Sequence, residues 1–299
     1  MQFHHGMYFL PSEHLVPIAR AIDELGFAGV TISDHLFYPR ELSSRYTYSP
    51  FEDGSPPWPP ETEYPDAWCL ISAMAAVTQK LRFTTSVYVA PARNLFSLAK
   101  AAGTAAFLSG DRVQMGVGAG WCKEEFDAAE QDFSDRGSRL NDMIPALRAL
   151  WQGGWVSYQG SHYTVPSIQM NPAPRRPIPI YAGGYSEAAI RRATRLCDGW
   201  ICATAHTVDE ARHHVGAVRE MLARSDRGTA SDFRMFVGLP GPPDLDAYRQ
   251  LADDGVTDFV VAPVHAYGQA AGQTGAALLR ACIHAAERFA TEIIAQVAE

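Results

Sequence analysis

The chain has 299 residues, 47% of them hydrophobic, and a formal net charge of −8. That length and apolar content supply a large core and exclude a disordered or fibrous protein. Acidic residues outnumber basic ones, 33 to 25, which argues against a general nucleic-acid surface, although a local basic pocket for one phosphate remains open. The five cysteines are widely spaced without a C-x-x-C pair, so neither a disulfide framework nor a metal centre is expected. Of these, Cys122 stands beside a glycine loop and is the one placed to line a pocket. No leader-like apolar segment and no run of 18 apolar residues occurs, and a cytoplasmic protein without a membrane partner is expected.

In chain order, Phe3–Phe9 reads as a strand, and apolar positions 15, 18, 19, 22 and 25 give a helix closed by Gly26. Ala28–Ser33 is a second strand, ending at Asp34-His35. Residues 36–64 follow as a lid or substrate loop, since Tyr38–Tyr64 carries six prolines and several aromatics; a rigid surface loop is the alternative. Then come a helix over Asp66–Val77, a strand over Leu81–Val89 and a helix over Leu95–Leu108.

Val113–Trp121 is an apolar strand running into alternate glycines, Gly116, Gly118 and Gly120, whose open end lets another group approach the backbone. Residues 122–177 interrupt the repeat with an acidic, partly helical stretch, an amphipathic helix over Arg139–Trp151, a possible small hairpin over Trp155–Val165, and a proline-rich connector over Pro166–Pro179. The repeat resumes with strands at Ile178–Ala182, Gly199–Cys202, Arg234–Val237 and Phe259–Ala262. Helices follow at Ser186–Leu196, Val208–Ala223, Leu245–Ala252 and roughly 276–296. Eight strands, each followed by a helix, predict a single (β/α)8 TIM barrel over 1–299 with insertions in its βα loops.

Several separated patterns resemble the bacterial-luciferase-like superfamily of flavin- and deazaflavin-dependent oxidoreductases. They are Ser33-Asp34-His35-Leu36, Thr84-Thr85-Ser86-Val87, Leu108–Arg112 leading into Gly116–Trp121, and Pro179–Gly184 followed by Asp198-Gly199-Trp200. The resemblance runs from residue 1 to about 265. It implies a luciferase-type barrel holding a reduced flavin or its 5-deaza analogue at the C-terminal mouth, usually as a homodimer. It further implies a non-prolyl cis peptide at Ser86-Val87 against the cofactor ring, and a cofactor phosphate near Gly118, Ala119 and Gly120 and near Gly183, Gly184, Tyr185 and Ser186.

The residues themselves agree in part. His35, at a strand's C-terminal edge, is the candidate acid or base, with a structural histidine as the alternative; Asp34 either orients it or caps the loop backbone. Gly183–Ser186 opens a helix whose free N–H groups suit a phosphate, or else simply turns. Trp58, Trp68 and Trp121 are the substrate-pocket candidates. Arg93 either enters the cofactor region or forms a salt bridge. His213-His214 reads as part of a solvent-facing helix. In the sugar-phosphate dehydrogenase branch of the resembled family, the position matching Trp121 resembles an acidic glutamate, so Trp121 points away from a sugar phosphate and toward a more apolar or aromatic substrate. The resulting expectation is a coenzyme F420-dependent oxidoreductase, with a separate reductase possible as a supplier of reduced cofactor. An FMN-dependent monooxygenase and a non-catalytic flavin-binding protein are the alternatives.

Overall fold

Among the described residues, ten short strands follow one another: β1 (Gln2–Gly6), β2 (Gly29–Ile32), β3 (Arg82–Thr85), β4 (Val113–Val117), β5 (Val156–Gln159), β6 (Thr164–Ile168), β7 (Ile180–Gly183), β8 (Gly199–Ile201), β9 (Arg234–Gly238) and β10 (Asp258–Val261). All but β5 and β6 pair in parallel into a closed barrel of order β1-β10-β9-β8-β7-β4-β3-β2. The computed structural model describes residues 1–202, 205, 207–226 and 232–297.

The predicted eight-unit barrel is thus the observed fold, and its local causes are visible. Helix α1 (Ser12–Ile22) buries Leu15, Ile18, Ala19 and Ile22, the stripe that the apolar spacing gives. Asp66 caps α2 (Ala67–Ala75), and Asn94 caps α3 (Leu95–Leu108) by accepting from the N–H groups of Phe96 and Ser97 at 3.0 and 3.1 Å. The turn from α3 into β4 needs left-handed backbone at two successive residues, Gly110 (φ 69°) and Asp111 (φ 63°).

The predicted strand over Leu81–Val89 is shorter than expected. β3 ends at Thr85, the chain leaves the ladder at Ser86-Val87, and it rejoins at Tyr88, whose N–H donates to the Gly116 carbonyl at 2.8 Å while its own carbonyl accepts from Gly118 at 2.9 Å. The region after β4 contains the short helix α4 (Lys123–Ala128) and then α5 (Arg136–Leu150), which buries Leu140, Met143, Ile144, Leu147 and Leu150 in the main core. α5 is therefore part of the barrel's helical layer, and the added piece is the antiparallel hairpin β5–β6. That hairpin hangs from α5 through Asp142, which accepts from the Tyr158 hydroxyl and the N–H groups of His162 and Tyr163 at 2.6–2.9 Å. Its second strand runs on to Ile168, through Pro166, which an edge strand tolerates.

The remaining helices are α6 (Glu187–Leu196), α7 (Val208–Ala223), α8 (Leu245–Asp253), α9 (Pro263–Ala266) and α10 (Gly275–Phe289), the last continuing as a π-helical turn over Ala290–Ile294. Phe3, Tyr248, Phe259 and Phe289 pack edge and face between sheet and helices, while Tyr181, Ile201 and Phe236 form a separate core cluster with Val87 and Val260 against it. A polar cluster joins β1, β9 and β10: Asp258 accepts from His4 Nε2 at 2.8 Å and from Arg234 at 2.7 and 2.8 Å, with Gln2 bonding both Arg82 and Arg234.

Candidate active site at the barrel mouth

Parallel strands carry their loops to the C-terminal rim, and the sequence patterns singled out above converge there. Asp34 and His35 follow β2. The Asp34 carboxylate accepts from the Val89 N–H at 2.9 Å and from Arg93 Nη2 at 2.8 and 3.1 Å, tying the end of β2 to the segment after β3. Arg93 is thus in a largely buried ion pair rather than an exposed one. Of the two roles open to Asp34, its contacts are those of a loop anchor. The carboxylate that meets His35 belongs to Glu125 on α4, whose Oε1 lies 3.1 Å from His35 Nδ1 and 2.6 Å from the Leu36 N–H. Glu125 is 1% exposed. Sequence reasoning missed it, since Glu124-Glu125 reads as an acidic surface stretch; its signal was position, five residues beyond the last loop glycine.

Beside His35, whose side chain is 14% exposed, lies a cavity of about 230 Å³. Its wall is rich in aromatic side chains, with Phe37, Tyr38, Trp58, Tyr64 and Trp121 contributing rings, and exposes polar and apolar surface in equal measure. Ring centroids of Tyr64, Trp58 and Trp121 stand 4.9, 5.6 and 5.8 Å from that of His35. Trp58 and Trp121 both line this cavity. Trp68 does not: it is 4% exposed in the main core and packs on Tyr88, because its side chain belongs to the buried face of α2. Cys122 lines the cavity as a neutral thiol, pushed up to about 12 by burial, and burial likewise raises Tyr46 to about 12 and Tyr64 still further. Near neutral pH these groups contribute shape and hydrogen bonds rather than charge.

The two glycine loops and the Ser86-Val87 segment form one bed. The Ser86-Val87 peptide is cis. Val87 lies between the loops: a Cβ on Gly118 would come within 2.6 Å of Val87 Cγ2, and one on Gly183 within 2.7 Å of Val87 Cγ1. Glycine is required at both positions if Val87 is to stay. At Gly120, the carbonyl accepts from Arg136 Nε at 3.1 Å, and Ala119 packs against the main core. Gly184 has φ 114°, a left-handed value, and leads into Tyr185 and Ser186. The Ser186 hydroxyl caps α6 by accepting from the Ala189 N–H at 3.2 Å, which leaves the start of this ten-residue helix turned toward the rim.

Residues 36–64 fold over both features. Tyr46 sits 4.9 Å from Trp58 and 5.1 Å from Trp121, while Tyr48 reaches Tyr185 at 5.3 Å between centroids. Tyr185 in turn stacks on His214 at 3.8 Å and 4°. His214 therefore stands behind the second glycine loop rather than facing solvent, whereas His213 is exposed. Among the described residues, no group of three or more His, Cys, Asp and Glu side chains is arranged to hold a metal, and no helix is long and apolar enough to cross a membrane.

The chain as a whole is similar to known proteins. The chain is 34% identical over 266 residues to the uncharacterized protein Rv0940c of Mycobacterium tuberculosis, covering 87% of this chain and 88% of that one. It is 30% identical over 234 residues to the F420-dependent glucose-6-phosphate dehydrogenase of Gordonia bronchialis, covering 76% of this chain and 64% of the dehydrogenase. Its fold superposes on the monooxygenase RslO1 from Streptomyces bottropensis with a TM-score of 0.73 at 17% identity, over 99% of this chain and all of the other. The luciferase-like monooxygenase family model matches residues 3–290, and the chain belongs to that family, within the bacterial-luciferase-like superfamily of flavin- and F420-dependent oxidoreductases.

Proposed function

We propose that this protein is a coenzyme F420-dependent oxidoreductase that moves a hydride to or from a small apolar or aromatic substrate bound in the cavity beside His35. Family membership supplies the coarse part, a flavin-type cofactor and oxidoreductase chemistry. The finer part rests on one observation: Val87, bracketed by Gly118 and Gly183, forms an apolar bed at the same rim as a ring-lined cavity whose one histidine is His35.

The bed fits a planar ring system, because side chains are absent where two backbone loops would meet its face. The rim beyond Gly184 fits the anionic end of such a cofactor, because α6 presents its N-terminus there; Glu187 in that first turn is paired with Arg191. When bound, the deazaflavin supplies a carbon that accepts or donates hydride. The chain's residues do the rest. Gly118, Ala119 and Gly120 would line one side of the cofactor site, Gly183, Gly184, Tyr185 and Ser186 the other, and Ser86 and Val87 its floor. His35 would take or return the substrate proton, with Asp34 holding the loop that presents it. Trp58 and Trp121 would orient the substrate, and the lid over residues 36–64 would exclude water. A role for Trp68 in the pocket is not retained.

One observation keeps FMN as a second reading: the family model is that of a luciferase-like monooxygenase. We also propose a single domain over 1–299, in which the region 122–177 adds the β5–β6 hairpin to the barrel, a homodimer, a cytoplasmic location, and, for the FMN reading, a separate reductase.

His35→Ala tests the assignment. It should lower turnover by about 10²–10⁴-fold while cofactor affinity stays within about tenfold, measured by steady-state kinetics and equilibrium titration. Wild-type turnover in a reaction limited by chemistry would remove His35 from the mechanism.

A further inference from the structure

The deepest carboxylate at the rim is also the one with no place in the reading so far. Glu125 is on α4, one turn after the first glycine loop, and its Oε1 receives three groups at once: the Leu36 N–H at 2.6 Å, His35 Nδ1 at 3.1 Å and, more weakly, the Phe37 N–H at 3.5 Å. A backbone N–H can only donate, so this oxygen is an acceptor. Its neighbour Nδ1 then satisfies both partners only by carrying the ring proton. No other described side chain bonds the His35 ring, which leaves Nε2 for the cavity that the ring lines with Trp58, Tyr64 and Trp121.

We infer that Glu125 is a positioning residue that locks neutral His35 in its Nδ1–H form, so that Nε2 meets the substrate as a bare hydrogen-bond acceptor. The inference rests on His35 being the proton carrier proposed above, but concerns a property of the ring that exists without substrate or cofactor. Several features favour a fixed tautomer over a chance contact. The same carboxylate oxygen holds the backbone immediately after His35, so side chain and loop are set by one group. Burial removes water as a competing partner for either. A ring held this way enters the cavity in one protonation geometry, and the ligands it suits are those that bring a hydroxyl or N–H donor to Nε2. Molecules offering only an acceptor there find none to pair with at Nε2 while the ring is neutral.

Nitrogen NMR of protein labelled at histidine reads the tautomer directly. At a pH where the ring is neutral, wild-type His35 should show a protonated Nδ1 and a bare Nε2. Glu125→Gln keeps an acceptor oxygen and should keep that pattern. Glu125→Ala should move the ring toward the Nε2–H form that predominates for free imidazoles, with circular dichroism confirming the fold. An Nε2–H ring in the wild type, or an unchanged Nδ1–H ring in Glu125→Ala, overturns the inference. Should Glu125→Ala not fold, the wild-type and Glu125→Gln spectra decide, since loss of the Nδ1–H pattern in either refutes it. The outcome is separable from the catalytic reading: an active His35→Ala enzyme would refute the proton carrier and leave the tautomer result standing.

Discussion

Asp258 shows how much can rest on one side chain. It is buried, and burial works against its charge, yet hydrogen bonds from His4 and Arg234 prevail and hold its carboxyl down to about 2. The folded value lies below the ~3.9 of an unfolded aspartate, so its contribution is present above about pH 4 and is lost as pH falls through about 2. That difference corresponds to about 2–3 kcal/mol. Asp258→Asn should therefore cost about 3–5 kcal/mol at neutral pH in urea denaturation, since it strands Arg234 beside a buried neutral group. It should also flatten the loss of stability between about pH 4 and pH 2; an acid limb identical to the wild type would show that the cluster does not control acid stability. Legibility differed sharply from residue to residue at the site. His35, Trp121 and the loop glycines could be placed at the rim because each follows an apolar strand, and Trp58 because it stands in the proline-rich loop that crosses it. Glu125 could not, because its partner is 90 positions away in the chain, and Trp68 misled because a capped, core-facing helix and a pocket-facing one share the same aromatic content.

Among the elements, residues 36–64 decide access to the rim. They form no regular structure, but they are tied down: Tyr46 N–H bonds the Gly54 carbonyl at 2.8 Å, and Glu124 Oε1 accepts from the Ser43 N–H, the Ser43 hydroxyl and the Ser44 N–H at 2.7, 2.6 and 3.1 Å. Burial opposes charge on Glu124, but these serines prevail and hold it well below the usual carboxylate range. One side chain on α4 thus pins the root of the loop, and its neighbour Glu125 pins His35. Glu124→Ala should loosen the loop alone. Losing charge-assisted hydrogen bonds of about 1.5–3 kcal/mol each should speed amide exchange over residues 43–55 while leaving the barrel strands protected. Uniform loss of protection across the barrel would mean that Glu124 supports the fold rather than the loop. The proline and aromatic content announced a long loop, but its path across the mouth to Tyr185 depends on contacts between distant segments that no local pattern encodes. The strand after α2 was read too long for a related reason: its composition continues through Val89, whereas the backbone leaves the ladder at Ser86.

For the molecule as a whole, the eight-fold alternation of short apolar runs and amphipathic helices favoured a barrel over an open sheet, and the strand order, with β1 paired to both β2 and β10, closes it. The barrel in turn brings His35, Val87, Trp121 and Gly184 to one rim from positions spread over half the chain. The cofactor is the point on which the account turns. Calorimetric titration of the purified apoprotein with coenzyme F420 and, separately, with FMN tests it most directly. The account predicts tight F420 binding and FMN affinity weaker by at least about tenfold, a difference of about 1.4 kcal/mol or more. FMN binding tighter than F420, or no binding of either, would contradict it.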